Sequence, residues 1–199
     1  MLCDSGRMSQ NASNTRGDVR EDALEKRSSV VRSVLVILAL GAGFIVVPRV
    51  MHGYVNRGPA EDAPDFTAVV VANAPDGQKS LNLAALRGHP VLLDFWATWC
   101  PPCQAELPIM NGLAARFKDK GLVVVGVNTS DEEGLAAPLV ARRNIGFPIV
   151  YDRGDAIASK YGVNNLPTLV LVSKEGKIVA VRRGVTSDSD LERLIRREL

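Results

Sequence analysis

The sequence is short of the residues that mark several common functions. Its 199 residues carry a formal net charge of only +2, and no run of basic residues is interleaved with aromatic ones. This charge pattern gives no support for a nucleic-acid-binding protein or for a generally acidic partner. Cysteine and histidine are also scarce, with three of the first and two of the second. Hydrophobic residues nevertheless make up 46% of the chain, which is enough for the core of one ordinary domain.

Two of the three cysteines lie close together, in the segment Trp99-Cys100-Pro101-Pro102-Cys103. The apolar run 91–97 precedes this segment and predicts a buried strand, and apolar residues at helical spacing follow it as far as Phe117. Cys100 is therefore expected at a strand-to-helix junction. Prolines are tolerated there because the first N–H groups of a helix have no partner within the helix.

The spacing of the two cysteines suits reversible disulfide chemistry. Residues three apart on a helix lie about 5–6 Å from each other, a separation that a disulfide can bridge. The positive end of the helix favours a thiolate, so Cys100 is expected to be the exposed, attacking sulfur. Cys103, one turn deeper, is expected to resolve the mixed disulfide.

Three other interpretations of the cysteine pair remain open at this point. Cys-x-x-Cys can be half of a zinc site, but the other available ligands, Cys3, His52 and His89, have no ligand-like spacing. The pair could form a purely structural disulfide, although so small a ring constrains little of the unfolded chain. The third alternative is two unrelated core cysteines. The motif favours redox chemistry over all three.

The N-terminal third has a different composition. Residues 1–29 are polar and predict a disordered tail, in which Cys3 is a reduced, unstructured cysteine. Residues 30–51 are mostly apolar or small and just long enough for a transmembrane signal-anchor. A cleaved signal peptide is the alternative, but no small-x-small site follows the run. Basic residues favour the side before the span, which predicts a cytoplasmic tail, a linker at 52–63 and an outward-facing domain at 64–199.

The rest of the chain predicts an α/β domain. The uninterrupted apolar run 122–128 is typical of a parallel strand covered on both faces. Residues 131–144 predict a helix capped by Ser130 or Asp131, with Pro138 at a start, break or kink. Other extended segments are expected at 65–71, 79–83, 147–151, 169–173 and 178–182.

Two stretches of this sequence resemble a known family. Asp94-Phe95-Trp96-Ala97-Thr98-Trp99-Cys100-Pro101-Pro102-Cys103 is similar to the active-site segment of the thioredoxin superfamily. Gln104-Ala105-Glu106-Leu107-Pro108 is similar to its membrane-anchored TlpA/ResA-like branch. The resemblance continues in order from about Ala63 to the C-terminus. It implies a thioredoxin fold, a mixed central sheet flanked by helices, with an N-terminal β-hairpin, a central insertion and one preceding transmembrane helix.

The resemblance also implies a surface that binds the substrate. Pro167 matches the family's cis-proline, which faces the disulfide and lets Leu166 present backbone groups to an extended partner chain. Trp99 resembles the family's exposed tryptophan and is expected in the same docking surface. Pro101 and Pro102, between the cysteines, complete it.

Two carboxyl groups are expected near the sulfurs. Asp94 shares a strand face with Leu92 and Trp96, and the resemblance places it beneath Cys103, where it could accept the Cys103 proton. Asparagine is common at this position in the TlpA/ResA-like branch, so the aspartate favours a more general reductase; an Asp94 turned to solvent is the alternative. Glu106 matches an acidic residue that tunes the thiols, and an exposed carboxylate without a role is its alternative.

These features together predict a membrane-anchored thiol–disulfide oxidoreductase facing the periplasm or exterior of a bacterium. Its expected activity is the reduction of disulfides in partner proteins, with cysteines that receive haem or copper as candidate substrates. The resemblance implies a membrane reductase as electron donor, and no cofactor, metal or nucleic acid is expected. A disulfide-forming oxidase and a thiol metal carrier remain alternatives. The Gly-Ala-Pro-Glu signature of cytochrome c assembly thioredoxins is absent around Pro167.

Overall fold

The computed structural model describes residues 61–199. The predictions for the tail, the membrane span and most of the linker lie outside those residues. Within 61–199, no helix is both long and apolar enough to cross a membrane. The strands are β1 (Thr67–Ala72), β2 (Ser80–Asn82), β3 (Val91–Trp96), β4 (Val123–Asn128), β5 (Ile149–Tyr151), β6 (Thr168–Val172) and β7 (Ile178–Arg183). The α-helices are α1 (Pro101–Phe117), α2 (Ala136–Arg142), α3 (Ala156–Lys160) and α4 (Asp188–Ile195).

The strands form one mixed sheet in the order β2-β1-β5-β4-β3-β6-β7. β3, β4 and β5 run parallel to one another, and every other neighbouring pair is antiparallel. The pairing of β1 with β2 confirms the predicted N-terminal hairpin. All six residues of β3 are buried, which explains why its sequence is an almost continuous apolar run.

Two hydrophobic clusters cover the two faces of the sheet. Because side chains alternate along a strand, Leu92 and Trp96 of β3 belong to one cluster, whereas Leu93 and Phe95 belong to the other. Residues of α1, α2 and α4 complete the first cluster, and residues of α3 complete the second. The helix that carries the cysteines therefore packs on the Leu92 and Trp96 face.

Gly126 allows close packing in the middle of β4. A Cβ atom at this position would lie 2.5 Å from Ile149 Cδ1 and 3.0 Å from Trp96 Nε1. A larger residue would therefore force these neighbouring side chains to move. Gly126 is paired in register with Asp94 of β3, so this contact lies beside a predicted site residue.

The predicted start of α2 is wrong. The helix begins at Ala136, and neither Ser130 nor Asp131 caps it. The carboxylate of Asp131 instead accepts hydrogen bonds from Thr98 on the chain that leaves β3, which holds it away from the helix. Pro138 lies in the first turn of α2, where its missing N–H costs no hydrogen bond within the helix.

Candidate active site

Three chain segments meet at the carboxyl ends of the parallel strands β3 and β4. Residues 97–100 connect β3 to α1, residues 129–131 follow β4, and residues 166–167 precede β6. The parallel register of β3 with β4 and the antiparallel register of β3 with β6 bring these segments to the same end of the central strands, where β3 and β4 end and β6 begins. The cysteine pair and Pro167, which are far apart in sequence, therefore lie at the same end of the molecule.

Cys100 and Cys103 form a disulfide at the N-terminus of α1, with their Cα atoms 5.3 Å apart. Cys100 is the N-cap residue, and its Sγ accepts a hydrogen bond from the N–H of Cys103 at 3.3 Å. A helix N–H aimed at a sulfur stabilises a thiolate once the disulfide opens. Pro101 and Pro102 occupy the first helical positions and are both exposed.

The disulfide is less accessible than predicted. Only 4% of Cys100 and 1% of Cys103 are exposed, because both pack into the hydrophobic cluster beneath α1. The prediction that Cys100 is an exposed sulfur is therefore wrong for this oxidised form, although Cys100 is the more accessible of the two. Trp99, by contrast, is 62% exposed, as expected for a docking residue.

Hydrogen bonds to the segment after β4 fix the exposed Trp99 ring. Its Nε1–H donates to the carbonyl oxygen of Ser130 at 2.6 Å. The carboxylate of Asp155 accepts hydrogen bonds from Thr129 Oγ1–H at 2.8 Å and from the N–H of Ser130 at 2.5 Å. These hydrogen bonds lower the pKa of Asp155. The indole is thus presented to solvent in a defined orientation.

Asp131 ties the loop before Cys100 to the end of β4. Its carboxylate accepts hydrogen bonds from the N–H of Thr98 at 2.6 Å, from Thr98 Oγ1–H at 2.9 Å and from Asn128 Nδ2–H at 2.9 Å. The sequence predicted that Ser130 or Asp131 caps a helix, and it did not predict this function of Asp131. The available signal was its position just after a buried parallel strand, since the carboxyl ends of neighbouring parallel strands meet at one edge.

Replacing Asp131 with alanine should lower the free energy of unfolding by about 1–3 kcal/mol, because three donors near the active site lose their acceptor. Urea denaturation of the two proteins measures the difference. Glu132→Ala, which removes an exposed carboxylate from the adjacent position, should change stability by less than about 0.5 kcal/mol. Equal losses in the two variants would show that the Asp131 hydrogen bonds do not stabilise the loop.

The Leu166–Pro167 peptide bond is cis, as the family resemblance implies. Pro167 is buried and its carbonyl oxygen accepts a hydrogen bond from the N–H of Gly184 at 2.8 Å. Leu166 is half-buried and packs against both hydrophobic clusters. This segment therefore has a fixed position next to β3 at the edge where the disulfide lies.

Asp94 is buried in the layer between β3 and α1. It is only 1% exposed, and neither carboxyl oxygen has a hydrogen-bond partner among residues 61–199. The alternative of a solvent-facing Asp94 is therefore wrong. Burial raises the pKa of Asp94 well above its ordinary value, and the negative charge of Glu106 raises it further.

Glu106 is also buried, with no exposed surface, so the alternative of an exposed carboxylate is wrong as well. Its Oε1 accepts a hydrogen bond from the N–H of Thr186 at 2.9 Å. Burial raises the pKa of Glu106, whereas the hydrogen bond from Thr186 opposes that shift. Glu106 is one helical turn from Cys103, so the two share a helix face at about 5–6 Å.

Of the other potential zinc ligands, the structure describes His89, which does not lie near the cysteine pair. His89 precedes β3, at the opposite end of that strand, and its Nδ1 lies 3.1 Å from the carbonyl oxygen of Gly121. Cys3 and His52 lie outside the described residues. Within 61–199, no three His, Cys, Asp or Glu side chains cluster as metal ligands would.

Comparison with known proteins agrees with this geometry. A family model described as Redoxin matches residues 59–195. Thiol-disulfide oxidoreductase ResA of Bacillus thuringiensis (strain Al Hakam) is 31% identical over 170 residues, which are 85% of this chain and 95% of the relative. ResA of Bacillus subtilis (strain 168) is 32% identical over 166 residues, covering 83% and 90% of the two chains.

A similar fold has been solved in a secreted Mycobacterium tuberculosis disulfide oxidoreductase homologous to E. coli DsbE. The TM-score is 0.58 at 26% identity, and the match covers 66% of this chain and 95% of the other. The Redoxin model spans well over half of the chain, and the ResA relatives are matched over nearly their whole length. The chain therefore belongs to the Redoxin family of the thioredoxin superfamily, and it is a thiol–disulfide oxidoreductase similar to ResA.

Proposed function

We propose that the chain reduces disulfides of partner proteins outside the cytoplasm. The observation that carries this proposal is the burial of two carboxyl groups, Glu106 one helical turn after Cys103 and Asp94 on β3, which is close enough for the charge of Glu106 to raise its pKa. A strongly oxidising disulfide is one whose reduced, thiolate form is stabilised. When they are ionised, buried carboxyl groups oppose a further negative charge nearby. They therefore disfavour the thiolate, favour the disulfide and lower the reduction potential.

In the proposed reaction, the Cys100 thiolate attacks one sulfur of the partner's disulfide. A mixed disulfide forms, and the partner's other sulfur leaves as a thiolate that takes a proton from water. Asp94, as carboxylate, accepts the proton of the Cys103 thiol, and the Cys103 thiolate attacks Cys100 Sγ. The partner's second sulfur then leaves and is protonated. Two electrons have passed to the partner, and the enzyme has returned to its disulfide form.

The partner binds, in this proposal, to the surface formed by Trp99, Pro101, Pro102, Leu166 and Pro167. Trp99 and the two prolines are exposed, and they are next to Cys100 in sequence. The cis segment at Pro167 lies at the same edge of the sheet, beside β3. An extended partner segment placed between them could bind through its backbone as an added strand does.

We also propose that residues 30–51 anchor the chain in the bacterial cytoplasmic membrane. The support is the apolar run and the excess of basic residues before it. In this proposal residues 1–29 lie inside, residues 52–63 are a linker, and the domain at 64–199 lies outside. An exchanging disulfide also suits a compartment that lacks the cytosolic thiol reductants. A membrane reductase would then return two electrons to the Cys100–Cys103 disulfide, and cysteines that receive haem or copper are candidate substrates.

The reduction potential of the Cys100–Cys103 pair in the full-length protein tests the direction of the reaction. We expect a value near that of thioredoxin, about −270 mV, whereas a value near −120 mV, roughly that of DsbA, would instead identify a disulfide-forming oxidase. Glu106→Gln should raise the potential, because it removes a buried acid one turn from Cys103. Glu132→Gln, on the exposed loop before α2, is the matched control and should leave the potential unchanged.

A further inference from the structure

A polar cleft of about 400 Å³ lies between the start of α1 and helix α2. Thr98 and Gln104 line the side that belongs to the active site, and Leu135, Arg142 and Arg143 line the side that belongs to α2. This cleft is separate from the surface formed by Trp99, Pro101, Pro102, Leu166 and Pro167, none of which lines it.

The cleft adjoins the disulfide through the residues on either side of it. Thr98 lies two positions before Cys100, and Gln104 directly follows Cys103. Gln104 Nε2–H donates to the carbonyl oxygen of Thr98 at 2.5 Å, and Gln104 Oε1 accepts a hydrogen bond from Arg143 Nη2–H at 2.7 Å. The residues that line the α1 side of the cleft are therefore next to the two cysteines in sequence, and a hydrogen bond joins them to Arg143 of the other side.

The charged side chains that line the cleft have one sign. Two arginines line it and no acidic side chain does. Of the three acidic residues nearest in sequence, Asp131 binds Thr98, Glu133 pairs with Arg153, and Glu132 forms no ion pair within 61–199. No ion pair of the described residues involves Arg142. The cleft thus offers guanidinium groups, the donors that suit a carboxylate geometrically.

We propose that this cleft is a specificity subsite for an acidic side chain, Asp or Glu, carried by the partner protein close to its reactive cysteine. Arg142 binds the carboxylate, and Arg143 adds positive charge while it keeps Gln104 in place. The exposed side chain of Leu135 forms an apolar rim at the same cleft. The inference rests on the proposed function, because it selects among disulfides that the enzyme reduces.

A pair of peptides that differ in one residue tests the subsite. Each peptide contains one disulfide, and the position beside the reactive cysteine is Glu in one and Gln in the other. We expect the full-length protein to reduce the Glu peptide with a kcat/KM about fivefold higher than that of the Gln peptide, which is the largest effect usual for a solvent-accessible ion pair. This preference should decrease as salt is added, because salt screens the charges. Arg142→Glu should abolish or invert the ratio of the two values.

Arg197→Glu is the matched control, since it makes the same charge change at an exposed position after α4. It should leave the Glu-to-Gln ratio at the wild-type value. A ratio near one in the wild-type protein, or an unchanged ratio in Arg142→Glu, would overturn the subsite while leaving the reductase function intact. A loss of preference in both variants would mean that net charge, and not this cleft, selects the substrate. Failure to reduce either peptide would overturn the proposed function and the subsite together.

Discussion

Replacing Cys103 with serine should slow multiple turnover by on the order of a thousandfold and leave the enzyme covalently joined to its partner protein. Cys100 keeps its position at the N-cap of α1, so it can still attack the partner's disulfide. The mixed disulfide then has no thiol beside it to resolve it, and a thiol from solution must replace an intramolecular one. Non-reducing electrophoresis and the mass of the adduct measure the effect.

Cys100→Ser is the matched control for the trapping experiment. It leaves Cys103, of which 1% is exposed, and it should form no adduct. Both variants are made in a Cys3→Ser background, since the chain has three cysteines and only one should remain reactive. An adduct with Cys100→Ser and none with Cys103→Ser would reverse the roles of the two sulfurs.

The part of the fold that could be predicted is the part with only one reasonable physical interpretation. The apolar runs at 91–97 and 122–128 are too continuous for a half-exposed strand, and both form central strands covered on both faces. The start of α1 could also be predicted from the local sequence, because prolines after Cys100 fit the first turn of a helix. The burial of Asp94, by contrast, was expected only from the family resemblance, and the run itself left a solvent-facing side chain open.

The features of the site that the sequence did not predict depend on contacts between segments that are distant in sequence. An aspartate before an apolar stretch is a good candidate for a helix cap, yet Asp131 binds Thr98, a contact that exists only because β3 and β4 lie side by side. Helical spacing predicted that Glu106 shares a helix face with Cys103. It did not predict that the N–H of Thr186 donates a hydrogen bond to Glu106 Oε1. The low exposure of Cys100 likewise depends on the cluster beneath α1.

Asp94→Asn should slow reductive exchange near neutral pH by about a hundredfold, which is a typical rate contribution of a positioned acid or base. The amide keeps the size of the side chain but cannot take the Cys103 proton. Above the pH at which the thiol ionises unaided, about 8.5, the difference between variant and wild type should disappear. Stopped-flow measurement of the resolution step from pH 6 to pH 10 gives the rates of the variant and of the wild type across this range. A constant ratio across that range would contradict the proton-transfer role.

The same substitution should stabilise the protein at neutral and alkaline pH. The folded state holds a proton on Asp94 above the ordinary pKa of 3.8, whereas the unfolded state has released it. The folded state therefore binds more protons in that interval, and the unfolding free energy falls as pH rises towards the folded-state pKa. The amide that replaces the carboxyl group does not titrate, so the variant should gain on the order of 2 kcal/mol at pH 8, the cost of an unpartnered buried carboxylate.

Urea denaturation at pH 4 and pH 8 separates this effect from a general change in packing. The gain in Asp94→Asn should be large at pH 8 and small at pH 4, where the folded wild type already holds the proton. Part of the pH dependence should persist in the variant, because burial also raises the pKa of Glu106. Glu132→Gln, at an exposed position, should reproduce the wild-type curve. An equal gain at both pH values would mean that the amide simply packs better, and a loss at pH 8 would mean that the carboxylate is stabilised where it lies.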